Sequence, residues 1–126
     1  MSAPTLPTTL RRLHELLPLR VRVDWNDTDP DDVWLVAVEV DYHGWRDVWW
    51  GGDKPRWTQA WALEYALREE CEARGWMWRV FALPNEQGYG GEIERGILGR
   101  TYLEYADSPA HALALALEAA LTETRK

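Results

Sequence analysis

Over residues 33–42 apolar and polar side chains alternate, so an extended chain sets Trp34, Val36, Val38, Val40 and Tyr42 on one face. A helix would scatter the same residues around its cylinder, so this stretch commits the middle of the chain to a β-sheet. His43 and Gly44 follow as a plausible two-residue turn, and residues 45–50 run back along the first strand. The spacing predicts an antiparallel hairpin with Tyr42 opposite Trp45, Val40 opposite Asp47 and Val38 opposite Trp49. On its other face Asp41 meets Arg46. Cross-strand pairs of this kind stabilise by roughly 0.2–1 kcal/mol each. Residues 19–25 also alternate and predict a further strand, and the acidic residues 26–32 between the two runs read as a loop.

The period changes to that of a helix in three places. After a loose tail at 1–6, Thr8 or Thr9 caps a short helix carrying Leu10, Leu13, Leu16 and Leu17, which Pro18 ends. Thr58 caps a helix over 59–74 with Ala60, Leu63, Ala66, Leu67 and Cys71 on its inward stripe, and Gly75 stops it. Asp107 or Ser108 caps the last helix, with Pro109 in its first turn, where no amide hydrogen is needed. Residues 110–121 are almost entirely Ala and Leu, so that helix is covered on more than one side or makes an oligomer contact. Between these helices residues 76–83 form a strand, and the glycine-rich residues 87–91 a connection. Residues 92–105 form one more strand or hairpin, with its register open around Gly96 and Gly99. The order predicts an α+β fold, an α-β-α layered sandwich with helices on a mainly antiparallel sheet, in one domain spanning 1–126.

Composition then excludes whole classes of function. Fourteen Lys and Arg face 21 Asp and Glu, a formal charge of −7, and no basic block appears. Duplex binding depends on neutralising phosphates, so no direct nucleic-acid partner is expected. The single Cys71 excludes an internal disulfide and suits a reducing compartment. No apolar run approaches the roughly 20 residues of a membrane span. The N-terminus lacks the apolar core of a signal peptide, so a soluble protein of the cytoplasm is expected, without a membrane partner.

Two blocks carry a resemblance. Residues 54–63, Lys-Pro-Arg-Trp-Thr-Gln-Ala-Trp-Ala-Leu, run on to Ala73-Arg74-Gly75-Trp76, and the chain later reads Tyr105-Ala106-Asp107-Ser108-Pro109-Ala110-His111-Ala112-Leu113. Both, in that order and at that spacing, resemble the phage ABA sandwich domain family. There an aromatic Ser/Thr entry leads into an Ala-rich helix closed by Gly-Trp, and an Ala-Asp-Ser/Thr-Pro-Ala cap opens a short Ala/Leu helix. The likeness covers about residues 54–126 and leaves residues 20–53 outside it. It implies a phage or prophage origin, the cytoplasm of a bacterial host and an α-β-α sandwich, and it carries over no catalytic residue.

Few residues suggest chemistry. Asp27, Asp29 and Asp31 are spaced like the first ligands of a calcium loop, but Pro30 and Asp32 break the geometry and Val38 holds the place of the closing Glu. A solvated turn is the simpler reading. His14, His43 and His111 stand singly, without a Cys or second His at ligand spacing, so no metal or cofactor is expected. Cys71 lies on the inward side of its helix, where a thiol is inert. Gly88-Tyr89-Gly90-Gly91 lacks the Gly-Lys-Ser/Thr ending of a phosphate loop. Neighbouring carboxylates such as Glu69 with Glu70 or Glu92 with Glu94 sit on solvated faces, with nothing to split their acidities, so no catalytic residue is assigned.

The nine tryptophans are a larger number than the core of a domain this size requires. Trp34, Trp45, Trp49, Trp76 and Trp78 fall in strands, where building the core is their simplest role. Trp57, Trp61 and Tyr65 differ: Trp61 and Tyr65 share one flank of the second helix by their i, i+4 spacing, partly off the Leu63/Leu67 stripe. They either cover a sheet edge or form an exposed aromatic patch bordered by Arg68, the composition of an interface anchor. Together with the acidic Asp27, Asp29, Asp31 and Asp32, these residues point to a non-catalytic accessory protein that binds another protein. A sharper form is an acidic decoy, whose carboxylates imitate DNA phosphates and block a host DNA-binding factor. A self-associating assembly factor, joined through the helix at 109–121, is the second reading. A small-ligand binder or enzyme, with the Trp-rich hairpin lining a pocket, is the third.

Overall fold

The computed structural model describes residues 5–26, 29–39, 45–50, 56–57, 60–96 and 99–124, with side chains for all of these except 25–26, 29–35, 46–47, 49–50, 56–57, 60 and 124. Three helices and two antiparallel sheets make an α+β fold in which helices pack on sheet. The expected single sheet is therefore two, one in each of two compact units, Met1–Ala66 and Leu67–Lys126.

In the first unit, helix α1 (Leu6–Leu16) starts three or four residues earlier than expected. Thr5 is its cap, with its hydroxyl accepting from the Thr8 amide at 3.4 Å, because Pro7 fits the first turn and needs no acceptor for its nitrogen. Leu10, Leu13 and Leu17 leave the helix on one face and are buried, and α1 lies against β1 (Val21–Asn26) and β2 (Asp29–Glu39). The imidazole of His14 donates from Nδ1 to the Val21 carbonyl, 2.9 Å away, a structural bond. Val21, Val23, Val36 and Val38 supply the sheet's side of this core. The sheet continues through β3 (Trp45–Trp50) and the two-residue β4 (Arg56–Trp57), in the order β1-β2-β3-β4.

The hairpin exists, but in another register. Glu39 pairs with Trp45, Val38 with Arg46 and Ala37 with Asp47, and beyond an irregularity Val36 pairs with Trp49. Val48 is the extra residue of this bulge and is fully buried. A two-residue turn would have put Asp47 on the apolar face and Val48 on the polar one. The observed register, shifted by an odd number of residues from the expected one, reverses that and lets three valines share the core. Residues 40–44, which include the expected turn, lie outside the described residues.

A second difference concerns the acidic loop. Asp29, Asp31 and Asp32 are part of β2, and Asn26 pairs directly with Asp29. The register shifts between Trp25↔Val33 and Asn26↔Asp29, so residues 30–32 bulge out of the ladder, where the missing amide hydrogen of Pro30 costs nothing.

Helix α2 (Ala60–Ala73) ends as expected on Gly75, in the left-handed region at φ +72°. The Trp76 amide reaches back to the Cys71 carbonyl at 2.9 Å and the Gly75 amide to that of Glu72 at 3.0 Å, the paired bonds of a Schellman ending. In the second unit β5 (Met77–Ala82), β6 (Tyr89–Glu94) and β7 (Thr101–Ala106) form a meander in that order, so residues 92–105 contain the hairpin alternative. Ser108 caps α3 (Pro109–Thr124), its hydroxyl accepting from the His111 amide at 3.2 Å.

Only the start of the glycine-rich stretch, Gln87 and Gly88, is a connection: Tyr89, Gly90 and Gly91 are in β6. Gly91 is there because α3 crosses directly against it; a Cβ would come within 2.6 Å of the Ala112 carbonyl. Gly90, facing the other way, carries the Phe81 ring where its own side chain would be. Every residue of α3 from 112 to 117 is buried. That stretch has no exposed stripe, while Glu118 and Ala119 are half-buried and Thr122 is exposed.

Candidate functional site

Helix α2 holds the candidate that the sequence singled out. Ala62, Leu63 and Ala66 are fully buried, and the opposite flank carries Trp61, 58% exposed, and Tyr65, 39% exposed. One turn of helix separates the two residues, and their rings meet edge to face, with centroids 6.5 Å apart and planes at 77°. Each ring therefore limits the other's rotamers while both stay open to solvent. The exposed-patch alternative is the one realised for these two. Trp57 lies in β4, its backbone paired with Trp49, and its side chain is outside the described residues.

Arg68 follows Tyr65 by three residues on the same helix and is engaged with an aromatic ring. It belongs to the second unit, where its guanidinium lies 4.5 Å above the Trp78 ring. Of the acidic group, Asp27 lies outside the described residues, and Asp29, Asp31 and Asp32 are strand rather than loop residues. The surface that a decoy of DNA needs rests on side chains outside the description.

The strand tryptophans also require a correction. Among the described residues the core is Leu, Val, Ile, Ala and Cys71, and no tryptophan is buried, while the side chains of Trp34 and Trp49 lie outside the description. Trp45 is exposed, and Trp76 and Trp78 are half-buried. In the second unit they are clasped by arginines. Arg74 and Arg95 both lie 5.2 Å from the Trp76 ring, and the Trp78 indole donates to Glu72 at 3.3 Å. Arg74 also reaches Glu70 at 2.7 Å, and Arg95 the Tyr102 hydroxyl at 3.3 Å. An indole is amphipathic, and here cation–π stacking lets it sit at the rim of a core too small for it.

Sequence reasoning missed the outer face of the second sheet. Met77, Leu103 and Tyr105 are exposed on it, and the signal was legible in the alternation of residues 77–81 and 101–105, where apolar side chains occur on both faces of the strands. Two hollows lie in this unit. One of about 290 Å³ is bounded by Met77, Trp78, Arg79, Glu92 and Glu94. The other, of about 550 Å³, opens beside the β5–β6 turn, between Leu83, Glu86, Tyr89 and Asp107.

Chemical groups are not assembled around either. Cys71 is buried, and desolvation, with Glu70 and Glu72 adding like charge, pushes its thiol up to about 12. It is therefore a protonated, apolar-packed thiol, not a nucleophile. Among the described residues no three His, Cys, Asp or Glu side chains gather as metal ligands would, and no helix is long and apolar enough to cross a membrane. Compared with protein-family models, with curated proteins and with solved structures, the chain gives no match.

Proposed function

We propose that this protein works without chemistry of its own, by binding another protein, and that Trp61 and Tyr65 anchor the contact. The observation that carries this reading is the pair itself, two large aromatic rings held against each other on a regular helix and left open to water. Rings of this size bury about 150–250 Å² each in an interface, and such anchors cost about 2 kcal/mol or more when truncated. The helix that carries them is rigid, so little conformational entropy is lost on binding. The resemblance to the phage ABA sandwich family supports a phage or prophage setting, with a bacterial host protein as partner. Self-association through residues 109–121 has less support, since that helix meets its need for burial inside the chain.

Affinity capture from bacterial lysate, with and without nuclease, tests the proposal. The expected result is a protein retained after nuclease treatment and lost, by roughly 30-fold or more in affinity, with Trp61→Ala/Tyr65→Ala. A partner retained equally by that variant, or released by nuclease, overturns it.

A further inference from the structure

The second sheet is covered by α3 on one face only. On the other, the pairing of β5, β6 and β7 sets nine residues in a grid: Met77–Glu94–Thr101, Arg79–Glu92–Leu103 and Phe81–Gly90–Tyr105. The grid reads more simply as three lanes. The outer lanes are mainly apolar, with Met77 68%, Tyr105 51% and Leu103 41% exposed, and with Phe81 laid over Gly90. The middle lane, along β6, carries Glu92 and Glu94. Arg79 reaches Glu92 at 3.4 Å, while Glu94 has no ion-pair partner among the described residues. Both carboxylates border the 290 Å³ hollow beside Met77.

Three exposed apolar side chains on one small sheet face are unusual for a surface that meets only water. The spacing defines the shape of a cover. Two strand spacings measure about 10 Å, the width of one helix, which is how α3 covers the opposite face. The charges define its chemistry. A second copy packed face to face would set the Glu92/Glu94 lane against itself, and a nucleic acid would bring phosphates to the same two carboxylates. A helix with a Lys/Arg stripe flanked by leucines matches Glu94 and the exposed Met77, Leu103 and Tyr105. Arg79, in one outer lane, already pairs with Glu92 and lies 4.8 Å over the Phe81 ring, so a partner's cation shares Glu92 with it.

We infer that the helix-free face of the β5–β6–β7 sheet docks a basic amphipathic helix of a partner protein, its cations over Glu92 and Glu94 and its apolar flanks on Met77, Phe81, Leu103 and Tyr105. The inference uses neither Trp61 nor Tyr65 and stands or falls apart from the reading built on them.

The test uses a fluorescein-labelled Leu/Lys peptide of about 14 residues, four helical turns, and its Leu/Glu counterpart, titrated with the whole protein. The protein binds the Leu/Lys peptide at least tenfold more tightly, with amide shifts concentrated in residues 77–82, 89–94 and 101–106. Glu92→Lys/Glu94→Lys inverts the preference, and Leu103→Ala/Tyr105→Ala weakens binding at least tenfold. The control Glu69→Lys/Glu86→Lys makes the same charge change off this face and leaves binding unchanged. Absence of binding, or equal loss in that control, overturns the inference, and the shift map needs no variant at all. So does a concentration-dependent dimer broken by Leu103→Glu, or an oligothymidine that binds the wild type and is lost with Tyr105→Ala.

Discussion

Gly91 shows how much one hydrogen atom decides. Its missing side chain lets the α3 backbone lie directly on β6, 2.6 Å from where a Cβ would be, and backbone on both sides cannot yield as a rotamer can. Gly91→Ala is expected to cost about 3 kcal/mol, read as a lower denaturant midpoint, at the upper end of overpacking costs. Cys71 makes a second residue-scale prediction. Its thiol is raised from 9.0 to about 12 by burial, so the folded chain holds that proton more tightly than the unfolded one. The stability this provides is whole below pH 9.0 and drains away as the pH climbs towards 12. The wild type should therefore lose stability over that window faster than Cys71→Ala, and its thiol should resist a thiol reagent until denaturant is added. Trp61 and Tyr65 were legible as a pair from their spacing alone. Which way they faced was not, because half-apolar flanks occur both at sheet edges and in water.

Helix ends and turns are local chemistry, and the elements bear this out where the signals were single-valued. Gly75 does what its position in the sequence requires; of Asp107 and Ser108, both open as caps, Ser108 is the one that accepts from the His111 amide, and Ser108→Ala should cost about 1 kcal/mol of stability. The β5–β6 turn is less obvious. Asn85 and Glu86 are both left-handed, at φ 59° and 57°, with the Gln87 amide turned back to the Pro84 carbonyl at 3.4 Å. Asn tolerates that region, but Glu does not, so Glu86→Gly should raise stability by about 1 kcal/mol in thermal unfolding. The β2–β3 hairpin marks the limit of local reasoning. Its existence followed from the alternation, but its register did not, since burying Val48 beside Val36 and Val38 outweighed the shortest turn. Likewise β2 starts as early as Asp29, because Asn26 pairs with Asp29 beyond the bulge that holds Asp31 and Asp32, where composition suggests a loop.

At the scale of the whole molecule, the charge of −7 and the absence of a basic block set the expectation for nucleic acids. No binding to duplex DNA should be detectable at about 0.15 M salt, whereas a basic protein partner should be held less tightly as salt rises. The amino-acid order by itself determined the α+β class, the three helices, both helix stops and the antiparallel pairing of the central hairpin, because each depends on residues within one or two turns or one hairpin. Only the tertiary structure decided that the strands form two sheets rather than one. It alone decided that Gly90 and Gly91 belong to a strand, that the described tryptophans stay out of the core, and that one face of the second sheet is left uncovered. Those outcomes depend on what lies opposite a residue across the fold. A period in the sequence says that a side chain needs a neighbour, but the neighbour itself comes from a distant part of the chain.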